Sequence, residues 1–185
     1  LYNKDVTNVI FCPEAKNGEI SIPNTVTEIG SYAFSGCSNL NNINLPKSLE
    51  RILEGAFKDC VSLKSITIPA NVRQIEGTRS VGGSPFSGCV NLETIKSGTV
   101  NVPDGVTQIP GFYECGKLTE IILPTSITQI DEYAFYNCKS LNTITIPSSV
   151  KSIGVLSFCG CTSLLEVSVP DSVKEIGINA FGYWD

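Results

Sequence analysis

The chain has 185 residues, 42% hydrophobic and 17% charged, with a net charge of -5 from 13 Lys+Arg against 18 Asp+Glu. That balance belongs to a folded chain and not to a disordered one. With no basic cluster it also excludes a phosphate-tracking, nucleic-acid-binding surface. No apolar run approaches the roughly 18 to 20 residues of a membrane span, and no signal peptide is legible. Histidine is absent, which removes the usual general base, the Ser-His and Cys-His nucleophile pairs and histidine metal ligands together. Methionine is absent too, and the chain opens inside an apolar pattern, LYNKDVTNVIF. It is therefore read as a processed or truncated piece, so a missing targeting signal says nothing about destination.

In chain order, VTNVIFCPEAKNGEISIP reads as an irregular first turn, with Cys12 where later copies place proline. Regular copies follow. Prolines at 23, 46, 69, 103, 124, 147 and 170 and cysteines at 37, 60, 89, 115, 138 and 161 step by 23 toward each end of the chain. The unit is I-x-x-I-G-x-x-A-F-x-x-C-x-x-L-x-x-I-x-L-P, with Val or Leu allowed for Ile. It is plain in AFSGCSNLNNINLP, AFKDCVSLKSITIP and AFYNCKSLNTITIP.

Each position has a physical reading. Leu141, Ile144 and Ile146 end in period-two alternation with β-branched residues, a short strand with one buried face. Proline then stops the ladder for want of an N–H. Val150, Ile153 and Gly154 make a second apolar touch and a turn. Ala33-Phe34, Ala56-Phe57 and Ala134-Phe135 lie in about one helical turn that points the Phe inward, with the Cys on the same face. A unit this short cannot bury its own apolar face, but stacked copies can. The strands then form a parallel sheet on the order of 35 Å long at about 4.8 Å per strand.

Two segments break the unit. EGTRSVGGSPF (76–86) is about six residues too long, and ETIKSGTVNVP (93–103) about five, reading as an additional strand joined by Ser97-Gly98. Ile109-Pro-Gly-Phe112 is then two residues short. The stretch 76–112 reads either as loop drift or as a local contact loop or kink. Its glycines favour mobility, and SVGGSP lacks the lysine of a phosphate-binding loop. At the C-terminus, GYWD puts Trp184 where the next Cys belongs.

These motifs, over roughly residues 18 to 181, resemble the BspA-like, Treponema-type leucine-rich repeats of bacterial and protozoan surface proteins. The resemblance implies an α/β repeat fold. It would be a single leucine-rich-repeat solenoid of about seven to eight repeats over residues 1–185, with a parallel inner β-sheet and short helical or 3-10 turns on the outer side. It further implies a secreted or cell-surface adhesion module that binds proteins, host or matrix proteins included. Uncapped ends would expose sheet edges, so additional repeats or a capping domain are expected in a longer protein.

Chemistry finds little support. Metal sites want tight pairs of ligands, whereas these cysteines stand in single file, with only Cys159-Gly-Cys161 close together. A disulfide needs Cβ atoms converging to about 3.8 Å, and stacked side chains run parallel. Cys37, Cys60, Cys89, Cys115, Cys138 and Cys161 are therefore expected as a buried, reduced column acting as small apolar residues, with Cys159 and Cys12 off it. Asp131-Glu132, Glu14 and Glu175 sit at turn-like positions where solvated roles outweigh paired-carboxylate chemistry. No enzyme activity, metal or cofactor is expected. None of the 14 asparagines lies in a glycosylation sequon.

The strand reading fixes a solvent face by alternation. Asn42 and Asn44, Ser65 and Thr67, Thr94 and Lys96, Thr99 and Asn101, Glu120 and Ile122, Thr143 and Thr145, and Glu166 and Ser168 should point out on the concave side. This face is small, weakly charged and hydrogen-bonding, and it lacks the Trp, Tyr and Arg anchors of tight interfaces. It is either the docking face for a protein or simply what exposed strand positions favour. In the second case the chain is a structural spacer or an intracellular scaffold without a dedicated ligand.

Overall fold

The computed structural model describes residues 1–14, 18–77, 83–97, 108–109 and 111–182. Among them are fourteen strands and no helix. In chain order the strands are β1 Asn8–Val9, β2 Gly18–Ser21, β3 Glu28–Ile29, β4 Leu40–Asn44, β5 Arg51–Ile52, β6 Ser65–Ile68 and β7 Gln74–Ile75. They continue with β8 Thr94–Ser97, β9 Gln108–Ile109, β10 Glu120–Ile121, β11 Gln129–Ile130, β12 Thr143–Ile144, β13 Ser152–Ile153 and β14 Glu175–Ile176.

These strands form four parallel sheets, arranged as two ladders along the stack. The strands ahead of the prolines, two to five residues in length and here termed the long strands, pair as β2 with β4 and, in order, β6, β8, β10 and β12, with Ile20 opposite Ile43 and Ile121 opposite Ile144. The two-residue strands pair as β1, β3, β5, β7 and as β9, β11, β13, β14, with Ile29 opposite Ile52 and Ile130 opposite Ile153. This second ladder corrects the sequence reading, which saw Ile153 only as an apolar touch before a turn. Two residues are too few to show period-two alternation.

The expected helical turn is also corrected. Between Gly30 and Cys37 the amide bonds alternate. Ala33, Ser35 and Cys37 donate three residues back, to Gly30, Tyr32 and Phe34, while Tyr32, Phe34 and Gly36 donate to Glu54, Ala56 and Lys58 of the next turn. Four turns also hold two left-handed residues four apart, such as Tyr32 (φ 56°) with Gly36 (φ 72°) and Tyr133 (φ 58°) with Asn137 (φ 56°). A helix needs φ near −63° at every residue and keeps its bonds inside one segment. Here half of them leave for the neighbouring turn, so the segment is a third inter-turn ladder.

Inside the three ladders runs an unbroken aromatic stack. Phe34, Phe57, Phe86, Phe112, Phe135, Phe158 and Phe181 follow one another with ring centroids 5.1–5.6 Å apart and planes within 20°. The stack crosses the irregular stretch without losing register. Phe86, Cys89 and Leu92 are fully buried there, while residues 78–82 and 98–107, on which the expected extra strand and contact loop fall, lie outside the described residues.

The cysteine column is buried, and all eight cysteines are free thiols. Its thiols do more than fill space. Cys60 donates to the Phe34 carbonyl oxygen one turn back, and Cys89, Cys115, Cys138 and Cys161 donate likewise to Phe57, Phe86, Phe112 and Phe135, each at 3.1 Å. Cys12 does not take a proline's place as the sequence reading had it. Its amide bonds the Ala33 carbonyl as that of Phe34 bonds Ala56, and its own carbonyl oxygen accepts the Cys37 thiol at 3.8 Å. It therefore stands in the Phe position of the first turn. Cys159 lies off the column, one residue after Phe158 in the register of Tyr136, and is buried. Burial is the main cause that pushes the column thiols up from the ordinary 9.0. Cys37, Cys89 and Cys161 rise to about 12, and Cys60, Cys115 and Cys138 are also strongly raised.

Two predictions follow from this packing. Ser157 occupies the register of Ala134 and Ala180, is fully buried, and its hydroxyl has no hydrogen-bond partner. Ser157→Ala should therefore raise the urea midpoint, by the equivalent of about 1 kcal/mol. Ser48→Ala, which loses a 2.7 Å bond to the Val26 carbonyl, should lower it by a similar amount. The raised thiols predict a pH profile. Their contribution to stability is complete below the unfolded thiol value of 9.0 and is lost as pH rises toward about 12, because the unfolded chain ionises first. Urea midpoints should be flat near neutrality and fall above pH 9, and thiol titration in denaturant without reductant should count near eight thiols. A flat midpoint through pH 11, or a count near zero, would contradict this packing.

Candidate functional site

The alternation of the long strands decides which side chains reach solvent. In β4, Leu40 and Ile43 are buried while Asn42 and Asn44 are exposed; in β6, Ile66 and Ile68 are buried while Ser65 and Thr67 are exposed. Glu120, Ile122, Thr143, Thr145, Glu166 and Ser168 are exposed as well. The ladder brings them into columns, with Ser65 opposite Thr94, Thr67 opposite Lys96, and Glu120 opposite both Thr94 and Thr143. The backbone of Thr94 and Lys96 lies in β8, but their side chains are outside the described set, as are Thr99 and Asn101 altogether.

Sequence reading stopped one turn short of the full face. Glu19 and Ser21 in β2 stand opposite Asn42 and Asn44. The Asn44 amide donates to the Glu19 carboxylate at 2.7 Å and to the Ser21 hydroxyl at 3.3 Å, and the Asn42 amide donates to Glu19 at 3.3 Å. The signal was available in GEISIP, whose I-x-I-P ending matches the unit.

A cavity of about 490 Å³ opens at the β4–β6 end of this face. Asn42, Asn44, Ser65 and Thr67 supply its polar groups, and Leu45, Ile68, Pro69 and Ala70 its apolar wall. Lys47 and Asn71 close the corner beyond the strands, with the Asn71 amide donating to the Lys47 carbonyl at 2.7 Å. Those corner residues were missed because the unit pattern leaves them unspecified. Further along, Ile122 is 78% exposed, a bare apolar side chain among hydroxyls and carboxylates.

The short-strand ladder presents a different surface. Its outward groups satisfy one another across turns. Asn8 donates to Glu28 at 2.7 Å, Arg51 bridges Glu28 at 2.8 Å and Glu76 at 3.4 Å, and Gln74 donates to Glu76 at 2.6 Å. A depression of about 320 Å³ lies on its C-terminal part, over Gly154 and Gly177. A Cβ at Gly154 would stand 2.5 Å from the Glu132 nitrogen, so close stacking of turns explains that glycine. Among the described residues no group of three or more Cys, Asp or Glu side chains could hold a metal ion. The arrangement offers surface recognition by hydrogen bonds and apolar contact.

Comparison with known proteins agrees with this architecture. The sequence model of the BspA type leucine rich repeat region matches in six copies, over residues 4–98 and 80–184. No curated protein matches the chain in sequence. Among solved structures, the chain is similar to a leucine-rich repeat protein from Eubacterium ventriosum at 30% identity and a TM-score of 0.81, covering 98% of this chain and 47% of that one. It is also similar to the leucine-rich repeat protein of T. pallidum, at 29% identity and a TM-score of 0.75, covering 87% of this chain and 73% of that one. A Bacteroides ovatus leucine-rich repeat protein aligns at 30% identity and a TM-score of 0.60, over 86% and 45% of the two chains. The chain thus spans about half the length of the Eubacterium protein. The 23-residue unit, its two strand ladders and the six-copy match together place the chain in the BspA-type leucine-rich repeat family.

Proposed function

We propose that the chain is a non-enzymatic protein-interaction module of a cell-surface or secreted protein, docking its partner on the outward face of the long strands, the expected concave face. The observation that carries this reading is Ile122, 78% exposed in a column that otherwise holds the polar residues Ser21, Asn44, Thr67, Lys96 and Thr145. A strand position chosen only for solubility would take a polar residue, as the rest of the column does. An exposed isoleucine ringed by hydrogen-bonding groups is how the centre of an interface is built, with apolar contact inside and polar groups around it. The cavity between β4 and β6 adds a recess for a protruding partner side chain. Adhesion to host or matrix protein, and the surface location, rest on the family resemblance.

The test is binding of the chain to a panel of soluble extracellular-matrix proteins by interferometry. Ile122→Glu should weaken any binding about tenfold or more, and the triple variant Asn44→Arg, Thr67→Arg, Thr145→Arg should abolish it. Both should leave the far-UV spectrum and urea midpoint essentially unchanged, since the positions are exposed. Binding that survives both variants would overturn the long-strand face as the docking surface, and no binding to any member would favour the spacer reading.

A further inference from the structure

We propose that Cys12 and Cys37 are a modification site, a thiol pair that closes into a reversible disulfide and staples the first turn of the stack to the second. The structure holds the pair in its reduced form, as two free thiols. Both thiols donate to one oxygen atom, the Pro13 carbonyl, from Cys12 at 3.9 Å and from Cys37 at 3.8 Å. The Cys37 sulfur also stands 3.8 Å from the Cys12 carbonyl oxygen. The parallel stacking that keeps column thiols from pairing does not operate here. Each column cysteine stands over another of the same register, so their side chains run alongside. Cys12 occupies the phenylalanine register instead and meets Cys37 crosswise, and a disulfide needs side chains that converge.

This junction also lacks two of the ties that join later turns. Among the described residues the ring stack begins at Phe34, because Cys12 brings no ring. The thiol-to-carbonyl bond that measures 3.1 Å at Cys60, Cys89, Cys115, Cys138 and Cys161 is stretched to 3.8 Å at Cys37. Packing alone does not call for cysteine at a register that Phe34, Phe57 and Phe86 fill with rings. A Cys12–Cys37 bond would supply the missing tie along the path of the stretched one.

The oxidant is a second disulfide, with oxidised glutathione as the simplest case. Cys12 is 8% exposed and Cys37 fully buried, so exchange begins at Cys12. Its thiolate attacks one glutathione sulfur, the glutathione S–S bond breaks, and one glutathione leaves as a thiolate. The Cys37 thiolate then attacks the Cys12 sulfur of the mixed disulfide and displaces the second glutathione. The two cysteines lose two electrons and two protons in all, and oxidised glutathione takes them up to become two thiols. Burial first, then the neighbouring Cys12 and Glu14, push the Cys37 thiol up to about 12, which makes its attack the slow step.

The test starts from the 185-residue chain, fully reduced and desalted, then held folded in oxidised glutathione at about pH 8. Thiols counted after denaturation should fall from eight to six, and the intact mass should drop by two hydrogens. A non-reducing peptide map should join the Cys12 and Cys37 fragments. The amides of Thr27 and Gly30, which donate to Thr7 and Val9 across this junction, should exchange more slowly in the oxidised chain. Its urea midpoint should rise, because the cross-link restricts the unfolded chain, and reductant should reverse both changes. Cys12→Ser should keep its seven thiols in the same buffer, whereas Cys159→Ser should fall from seven to five, which separates this pair from Cys159 and Cys161. A count that stays at eight, a glutathione adduct that persists on Cys12, or a map that joins Cys159 to Cys161 instead would each overturn the proposal. The map is read on the unsubstituted chain, so it holds whether or not either variant folds.

Discussion

A carbonyl oxygen has two lone pairs, and this fold depends on both being used at Phe34, Phe57, Phe86, Phe112 and Phe135. The Phe34 oxygen accepts the Cys37 amide of its own turn at 3.1 Å and the Cys60 thiol of the next turn at 3.1 Å. The first bond closes the turn and the second ties it to its neighbour. Because the same oxygen serves both, the local conformation cannot relax without disturbing the stack. An unmade bond at such a buried acceptor is costly, and this is the physical reason that Phe and Cys keep their spacing of three.

The rest of the architecture follows from that coupling. With the turns locked one above another, the phenylalanine rings fall into a stack about 5 Å apart and the isoleucines of both strand ladders come opposite one another. Insertions are tolerated where they leave the phenylalanine register alone. The six extra residues before Phe86 do so, and Phe57 and Phe86 remain 5.5 Å apart. Since the buried ladders hold one turn to the next, the outward residues are free to vary. That freedom allows the long-strand face to hold Ile122 and the turn side to hold Tyr113, Tyr133 and Tyr136.

Much of this was legible in the sequence. Proline, phenylalanine and cysteine recurring at 23-residue steps located the long strands, the buried face and the inward Phe. Alternation then told Asn42 and Thr67 from Ile43 and Ile66. What was misread has a common origin. The Ala-Phe-x-x-Cys spacing suits one helical turn as well as it suits this one, and only the bonds to the next copy distinguish them. Glu28–Ile29 and its equivalents are strands because of their neighbours, with no periodicity of their own to betray them. The thiols were expected as small apolar groups, since sequence shows a cysteine's spacing but not the carbonyl above it.

The sequence by itself therefore determined the repeat, its period, its apolar register and the alternation that sorts the long strands into core and solvent. These are properties of residue order, fixed by volume and hydrophobicity. Tertiary structure decided what lies opposite what: the second ladder, the thiol-to-carbonyl bonds, Glu19 under Asn44, Cys12 in a phenylalanine's place, and Tyr113 stacked on Tyr136. Those are contacts between residues about twenty or more apart, and a hydrogen bond or ring contact exists only once both partners have been brought within a few ångströms.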